Sequence, residues 1–380
     1  MEEEVESNQH SKLDMQARAQ AEMDGKAKPP GSLGTLEDIA IKVAMLQKTM
    51  KPSIDDAVLL IFAADHGFTK SNPGVSAYPR EVSTSVFHCI ANGDAASAVL
   101  CKENNCRLTL IDVGLDASFC NGLDRLTTDK NSHVEIYPYG KTGTGSNDFL
   151  QGPAMSEDDV QDMNLVGRTV TLSTIKSSNA PRKLAIGIGE LGIGNTTSAS
   201  AIVCAITGHS PELVCGRGSG VDDAGLALKI STVKAALETN RELISTGDPF
   251  KILQALGGLE IAAMTGAYIQ ASKSNIAAIV DGFISGAAAL VACKMDPKVA
   301  RCLFWSHKSA EQGAVLLMEA VRATVTSTGS SGTEKDLNGV IPILDLGLKL
   351  GEGTGAVLAL PILRSAAAIM SNMAALKDIL

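Results

Sequence analysis

The sequence predicts an α/β protein whose parallel sheet is covered by helices on both faces. Three observations predict it. Residues 57–64, 108–113, 184–188 and 276–280 are short, largely apolar runs, the form taken by strands buried on both faces. The first run ends at Asp65-His66-Gly67 and the last at Asp281-Gly282, so polar residues gather at strand ends. Alanine-rich stretches of helical character, residues 82–101 and 197–207, lie between the runs, and strands alternating with helices build parallel sheets.

In chain order, residues 1–25 are polar, open with Glu2, Glu3, Glu4 and Glu6, and read as an acidic mobile tail with nascent helix over 15–23. Lys28-Pro29-Pro30-Gly31-Ser32-Leu33-Gly34 reads as a stiff turn. Residues 36–47 carry Ile39, Val43 and Leu46 at helical spacing, with Thr35 as N-cap. The strand runs and their helices follow, and Cys302–Trp305 reads as a further strand end. Residues 327–332, within a polar stretch reaching Asn338, read as a surface loop. Residues 353–380 are strongly helical, with one proline.

The 380 residues carry a formal net charge of −9. An acidic chain without a basic stripe gains no counterion-release affinity for nucleic acid, so that class of partner is excluded. The eight cysteines form no CxxC and several sit in apolar runs, which predicts a reducing compartment. The first residues lack the apolar core of a secretory signal, and the longer apolar runs are interrupted by Gly, Pro or charge. A cytoplasmic protein with no membrane span is therefore expected.

Five segments could carry chemistry. In Gly187-Ile-Gly189-Glu190-Leu-Gly192-Ile-Gly194-Asn195-Thr196-Thr197, three glycines match GxGxxG. A dinucleotide site needs an acidic residue about twenty positions on, closing a strand. Glu212 follows Ser210-Pro211 and precedes apolar residues, so it fits poorly. A pocket loop fits better: amides at a helix start attract phosphate and Glu190 can hold sugar hydroxyls. A ligand-free turn capped by Asn195 or Thr196 stays open. Gly216-Arg217-Gly218-Ser219-Gly220, with Lys229 downstream, can nest an anion, or be an exposed turn capped by Asp222 with Lys229 solvated. Gly351-Glu352-Gly353-Thr354-Gly355 precedes the last helix. Its Glu352 is either a base made stronger by apolar surroundings or a carboxylate complementing the helix dipole. His66 has no partner at metal-ligand spacing and reads as a satisfied loop histidine, while Phe68 and Tyr78 could wall a flat ligand. Ser306-His307-Lys308-Ser309 could hold phosphate, or simply cap a helix.

Taken together, KPPGSLGTLE, ADHGF, GVSAYP, GELGIGNTTSASA, GRGSGVDDAG, DGFISGAAAL, SHKSAE and LDLGLKLGEGTGA resemble the nicotinate-nucleotide–dimethylbenzimidazole phosphoribosyltransferases, in that family's order over residues 28–375. The resemblance implies a three-layer α/β/α domain with a Rossmann-like sheet over residues 51–339. It implies a small helical domain from both chain ends, residues 26–50 and 340–380, and a homodimer. It implies transfer of phosphoribose from nicotinate mononucleotide to a benzimidazole, with no metal or organic cofactor. By position it makes Glu352 the catalytic base. It assigns Glu190, Gly192, Ile193, Gly194, Asn195, Gly218, Lys229, Ser306 and Ser309 to the nucleotide, and Ser76, Tyr78 and Leu350 to the benzimidazole. The chain departs at Arg80, where the family has Gln. It departs again at Gln312-Gly313-Ala314, where Pro-Gly-His is expected, and in a longer polar loop over 325–338. These departures keep two rivals open: a same-fold transferase with another azole, purine or phenolic acceptor, and a non-catalytic nucleotide sensor.

Overall fold

The computed structural model describes residues 15–116, 134–138, 145–327 and 340–379. Its strands are β1 (Asp56–Ala64), β2 (Arg107–Gly114), β3 (Val134–Pro138), β4 (Leu184–Leu191), β5 (Ala277–Val280) and β6 (Leu303–Trp305). They form a six-stranded sheet in the order β3-β2-β1-β4-β5-β6, and every neighbouring pair is parallel. Each apolar run forms a strand. Strand β3 has no counterpart in the sequence reading. It lies at the sheet edge, with Val134 buried and Glu135 and Tyr137 exposed, so it lacks the continuous apolar run that marks the inner strands.

Side chains of alternate residues leave the sheet in opposite directions. Val58, Leu60 and Phe62 join one apolar cluster, while Leu59, Ile61 and Ala63 join the other. The first cluster is completed by helices after β3: α5 (Glu157–Ser177), α6 (Asn195–Thr207), α7 (Asp223–Thr239), α8 (Pro249–Leu256), α9 (Leu259–Lys273), α10 (Phe283–Met295) and α11 (Ala314–Ser327). The second is completed by the earlier helices and the last: α1 (15–24), α2 (Thr35–Gln47), α3 (Val82–Ala91), α4 (Ala96–Glu103) and α12 (Thr354–Asn372). The result is a three-layer α/β/α fold.

The two chain ends meet. Helix α2 packs on α12, Ala27 N donates to Ala374 O at 2.9 Å, and Leu376 N donates to Gly25 O at 2.8 Å. Their apolar residues share one cluster with Leu59, Ile61 and Ala185 of the sheet. Residues 15–24, expected from the sequence to belong to a mobile tail, are an ordered helix whose Ala19 and Met23 are fully buried. Residues 1–14 lie outside the described residues, as does most of the polar loop over 325–338. Helix α12 is long and apolar enough to cross a membrane by composition, but more than half of that stretch, 56%, is buried within the fold.

Three local expectations are corrected. Thr35 is the first helical residue of α2 and Gly34, at φ 55°, is the N-cap. Residues 82–101 form two helices, because Gly93 turns the chain at φ 86°. Gly187 and Gly189 lie inside β4 and not in a phosphate-binding turn. A methyl on Gly189 would overlap the backbone of Glu352 and Gly353, and one on Gly187 would crowd Ala356. These two glycines let the start of α12 lie directly on the sheet.

Small residues also let α5 and α9 approach closely. A methyl on Gly167 would overlap the Ala263 carbonyl, and one on Gly266 the Asn164 carbonyl. Gly167→Ala is expected to lower the unfolding free energy by about 1–3 kcal/mol through overpacking, read as an earlier midpoint in urea followed by circular dichroism. An unchanged midpoint would show that this crossing has slack.

Candidate active site

In a sheet of this order, crossovers run in opposite directions from β1 and β4, which leaves a crevice beyond their carboxyl ends. The polar strand ends converge there: Asp65 and His66 after β1, Glu190 in β4, Asp281 after β5, and Ser306 and His307 after β6. Helix α12 begins over the same edge. Asp281 Oδ1 accepts from Gly355 N at 2.7 Å and Ala356 N at 3.2 Å, and its Oδ2 accepts from Gly353 N at 3.2 Å. The unpaired amides of a helix start are thus taken by a carboxylate from the sheet.

That arrangement removes one reading of Glu352, as the carboxylate that serves the start of α12. The dipole-complementing role belongs to Asp281, and Glu352 is not the cap. Gly351, Glu352 and Gly353 all have left-handed backbone, at φ 81°, 57° and 74°. Such a conformation is strained for a residue with a Cβ. Ser97, on α4, donates to Glu352 Oε2 at 3.1 Å. Burial pushes the Glu352 carboxyl above its ordinary value; Ser97 opposes this, and the nearby Asp281 reinforces it.

Glu190 is buried and accepts a hydrogen bond from the Asn195 side-chain amide. Gly351 lies against it, since a methyl there would overlap Glu190 Oε1. Burial pushes its carboxyl up to about 8, with Asp281, Glu260 and Glu352 adding to the rise and Asn195 opposing it. Asn195 is therefore not the cap of α6. The N-cap is Gly194, at φ 94°, and no side chain caps that helix. Gly192 sits where a methyl would overlap the Ala64 carbonyl. Ile193 N donates to Ser83 Oγ at 3.1 Å.

Asp222 does cap α7, accepting from Gly225 N. Lys229 is not solvated, with only 1% of its surface exposed. Its Nζ donates to Thr196 Oγ1 at 2.8 Å and to Gly216 O at 3.1 Å. A side chain on Gly218 would crowd the same Nζ. Burial lowers the Lys229 pKa, and Glu311 opposes that shift. The two glycine-rich loops, separate in sequence, thus meet at one ammonium group.

The remaining sequence-derived residues are less connected. The Ser306 hydroxyl donates to Asp281 O at 2.8 Å, bracing the ends of β5 and β6. Ser309 accepts from Glu311 N at 3.3 Å and Ser76 from Tyr78 N at 3.2 Å, both local turns. Tyr78 and Leu350 are about half exposed, at 50% and 57%. His66 Nε2 lies 2.8 Å from Glu260 Oε1, and both side chains are fully buried. Sequence reasoning gave no site role to Asp281, Ser97 or Glu260. Asp281 carried a signal as a carboxylate closing an apolar strand, whereas Ser97 in an alanine-rich helix carried none.

The Glu190 shift has a sign that stability measurements can read. Its folded-state value of about 8 lies above the ordinary 4.5, so the folded chain holds the proton longer than the unfolded one. The contribution is fully present below the ordinary value and is lost as pH rises through the folded value. Glu190→Gln should therefore melt progressively higher than the wild type as the pH goes from about 5 to about 9. A difference in melting temperature that stays flat with pH contradicts the assignment.

Comparison with known proteins agrees with this geometry. Residues 9–379 match the family model described as DBI_PRT, phosphoribosyltransferase. A nicotinate-nucleotide–dimethylbenzimidazole phosphoribosyltransferase of Chromobacterium violaceum is 37% identical over 369 residues, 97% of this chain and 96% of that one. One from Pseudomonas savastanoi pv. phaseolicola is 37% identical over 360 residues, 95% of this chain and 92% of that one. The crystal structure of CobT from Thermus thermophilus superposes with a TM-score of 0.82 at 33% identity, covering 96% of this chain and 98% of that one. The match along nearly the whole chain, over a fold in which one buried lysine joins the two glycine-rich loops, leads to one assignment: the chain belongs to the DBI_PRT phosphoribosyltransferase family.

Proposed function

We propose that this chain transfers the 5-phosphoribosyl group from nicotinate mononucleotide to 5,6-dimethylbenzimidazole, giving α-ribazole 5′-phosphate and nicotinate. The observation that carries the reading is Glu352, a buried carboxylate held beside Ser97 while Asp281 takes the helix amides. A base is what this acceptor requires. One ring nitrogen forms the new bond to ribose C1′, and the other must shed its proton, which Glu352 takes. The electron pair of the broken C1′–N bond returns to the pyridine nitrogen of nicotinate. Attack from the opposite face turns a β-nucleotide into an α-riboside.

The transition state is oxocarbenium-like, and carboxylates around it stabilise developing positive charge. Lys229 spends two donors on Thr196 and Gly216, and an ammonium has three, so one remains for the 5′-phosphate beside the uncapped start of α6. Glu190, with its raised proton affinity, suits ribose hydroxyls as donor or acceptor. Ser76, Tyr78 and Leu350 supply the acceptor wall, and two bound substrates gain rate through orientation. The reaction balances without a metal or organic cofactor. The same reading makes the protein a cytoplasmic homodimer. Free thiols at all seven described cysteines support the first part. The exposed Ile341, Leu346 and Leu350 support the second, because apolar groups in one loop favour association. Neither rival, another acceptor or a nucleotide sensor, draws comparable support.

Purified protein with both substrates should yield α-ribazole 5′-phosphate by mass spectrometry, and no product with any azole acceptor refutes the transferase reading. Glu352→Gln should lose at least about 100-fold in turnover, the usual scale of a missing general base, while nicotinate mononucleotide still binds. Because the carboxyl is shifted upward, wild-type kcat/KM should rise with pH through a point above the ordinary carboxylate range. Full activity in Glu352→Gln would exclude it as the base.

A further inference from the structure

Beside Asp281, the chain leaving β6 holds a histidine to which neither the resemblance nor the mechanism gives a role. The backbone around it is fixed from both sides. Ser306 N donates to Val280 O at 3.0 Å, Leu344 N donates to Ser306 O at 3.0 Å, and Lys308 N donates to Leu344 O at 2.8 Å. The His307 ring packs against the start of α12, where a methyl on Gly355 would overlap its Nδ1 and Cε1. Only 7% of His307 is exposed. The turn over residues 351–355 joins this ring to the site: Gly351 lies against Glu190, Gly355 lies against His307, and Glu352 falls between them.

The hydrogen bonds fix the tautomer of the ring. The Ser306 hydroxyl has one proton. A carbonyl can only accept, so that proton goes to Asp281 O at 2.8 Å. Ser306 Oγ also lies 3.0 Å from His307 Nδ1, and in that bond the ring must donate. Nδ1 therefore carries the proton, which leaves Nε2 of a neutral imidazole as a bare acceptor. Burial favours the neutral ring, lowering its pKa against the opposing charge of Asp281. Nε2 has no hydrogen-bond partner among the described residues, yet it is not sealed off from solvent.

The neighbouring polar groups are already committed. Ser306 is fully buried and turned inward, Lys308 reaches out to Asp345 at 3.3 Å, and Ser309 accepts from Glu311 N. A bare acceptor cannot hold a phosphate or a carboxylate, since both offer lone pairs themselves. Among the polar groups of nicotinate mononucleotide, the ribose hydroxyls are the ones that can donate. The N–H of the benzimidazole goes to Glu352.

We propose that His307 binds the donor nucleotide, its Nε2 accepting a hydrogen bond from one of the two ribose hydroxyls while Glu190 takes the other. The inference deepens the proposed function and rests on its donor assignment. It transfers to His307 the contact that the family resemblance assigns to Ser306, whose hydroxyl is spent on holding the ring.

The test is titration calorimetry of nicotinate mononucleotide and its 2′-deoxy and 3′-deoxy analogues into wild type and His307→Asn. Asparagine keeps an N–H near the Nδ1 position and has nothing at Nε2. Wild type should bind each analogue about three- to tenfold more weakly than the parent, the scale of one hydrogen bond. His307→Asn should weaken the parent by about the same factor. It should bind one of the two analogues as tightly as wild type does, because the bond it removes is already missing there. Equal losses for all three ligands would assign the ring to packing alone and overturn the contact, and so would an unchanged affinity for the parent. If the variant does not fold, nitrogen NMR of histidine-labelled wild type decides. An unprotonated Nε2 signal should move on binding the parent and stay in place on binding one of the analogues; its absence overturns the contact. Wild-type protein that fails to bind nicotinate mononucleotide overturns the proposed function, and the contact with it.

Discussion

Asp281 holds the molecule's two halves in register. It ends an inner strand of the sheet, and its carboxylate receives backbone amides from Gly353, Gly355 and Ala356. Hydrogen bonds between an ionised carboxylate and backbone N–H groups are about twice as strong as neutral ones. Here they are buried, so leaving those amides unmade would be costly. They fix where α12 begins, and α12 carries the C-terminal part of the chain onto α2 and the second apolar cluster. The glycines of β4 serve the same contact: with side chains at 187 and 189, the helix start could not descend far enough to reach Asp281.

The same interaction shapes the electrostatics. Three buried carboxyl groups lie close together: Asp281 and Glu352 raise the proton affinity of Glu190, and Asp281 raises that of Glu352. Asp281 has the best compensation, through three amides and the neighbouring His307. Glu190 has one side-chain amide, and Glu352 the hydroxyl and backbone N–H of Ser97. Burial pushes the Asp281 carboxyl up against that compensation, and any negative charge it holds makes the other two more basic. Burial of Lys229 is the counterpart: one cation is joined to both glycine loops.

How much of this was legible in the sequence follows from the range of each interaction. Buried strands, the edge strand β6 among them, were legible because burial writes itself as an apolar run, and β3 was not because that edge strand is half exposed. The break between α3 and α4 was missed because the alanine-rich composition continues across Gly93. Glu190 and Lys229 were visible as polar residues near glycines, yet Lys229 could equally have been a surface lysine, since its partners come from a loop and a helix start distant in sequence. The pocket-loop reading missed the part played by the first two glycines for a related reason. Spacing alone does not say whether a glycine serves a turn or a contact, and Gly187 and Gly189 serve the contact.

Glu352 marks where local reading reaches its end. From its neighbours alone, a carboxylate just before a helix is a capping residue, and the physics behind that reading is sound. It fails because the cap arrives from Asp281, 72 positions from Gly353 in sequence, and no local rule can see it. Once those amides are taken, Glu352 is left to meet the hydroxyl and backbone N–H of Ser97 at the start of α4. Glycine occupies both neighbouring positions and would tolerate the left-handed conformation at Glu352 more easily. A buried side chain kept at that cost is a departure from what the backbone prefers, and strain of this kind gathers at functional sites.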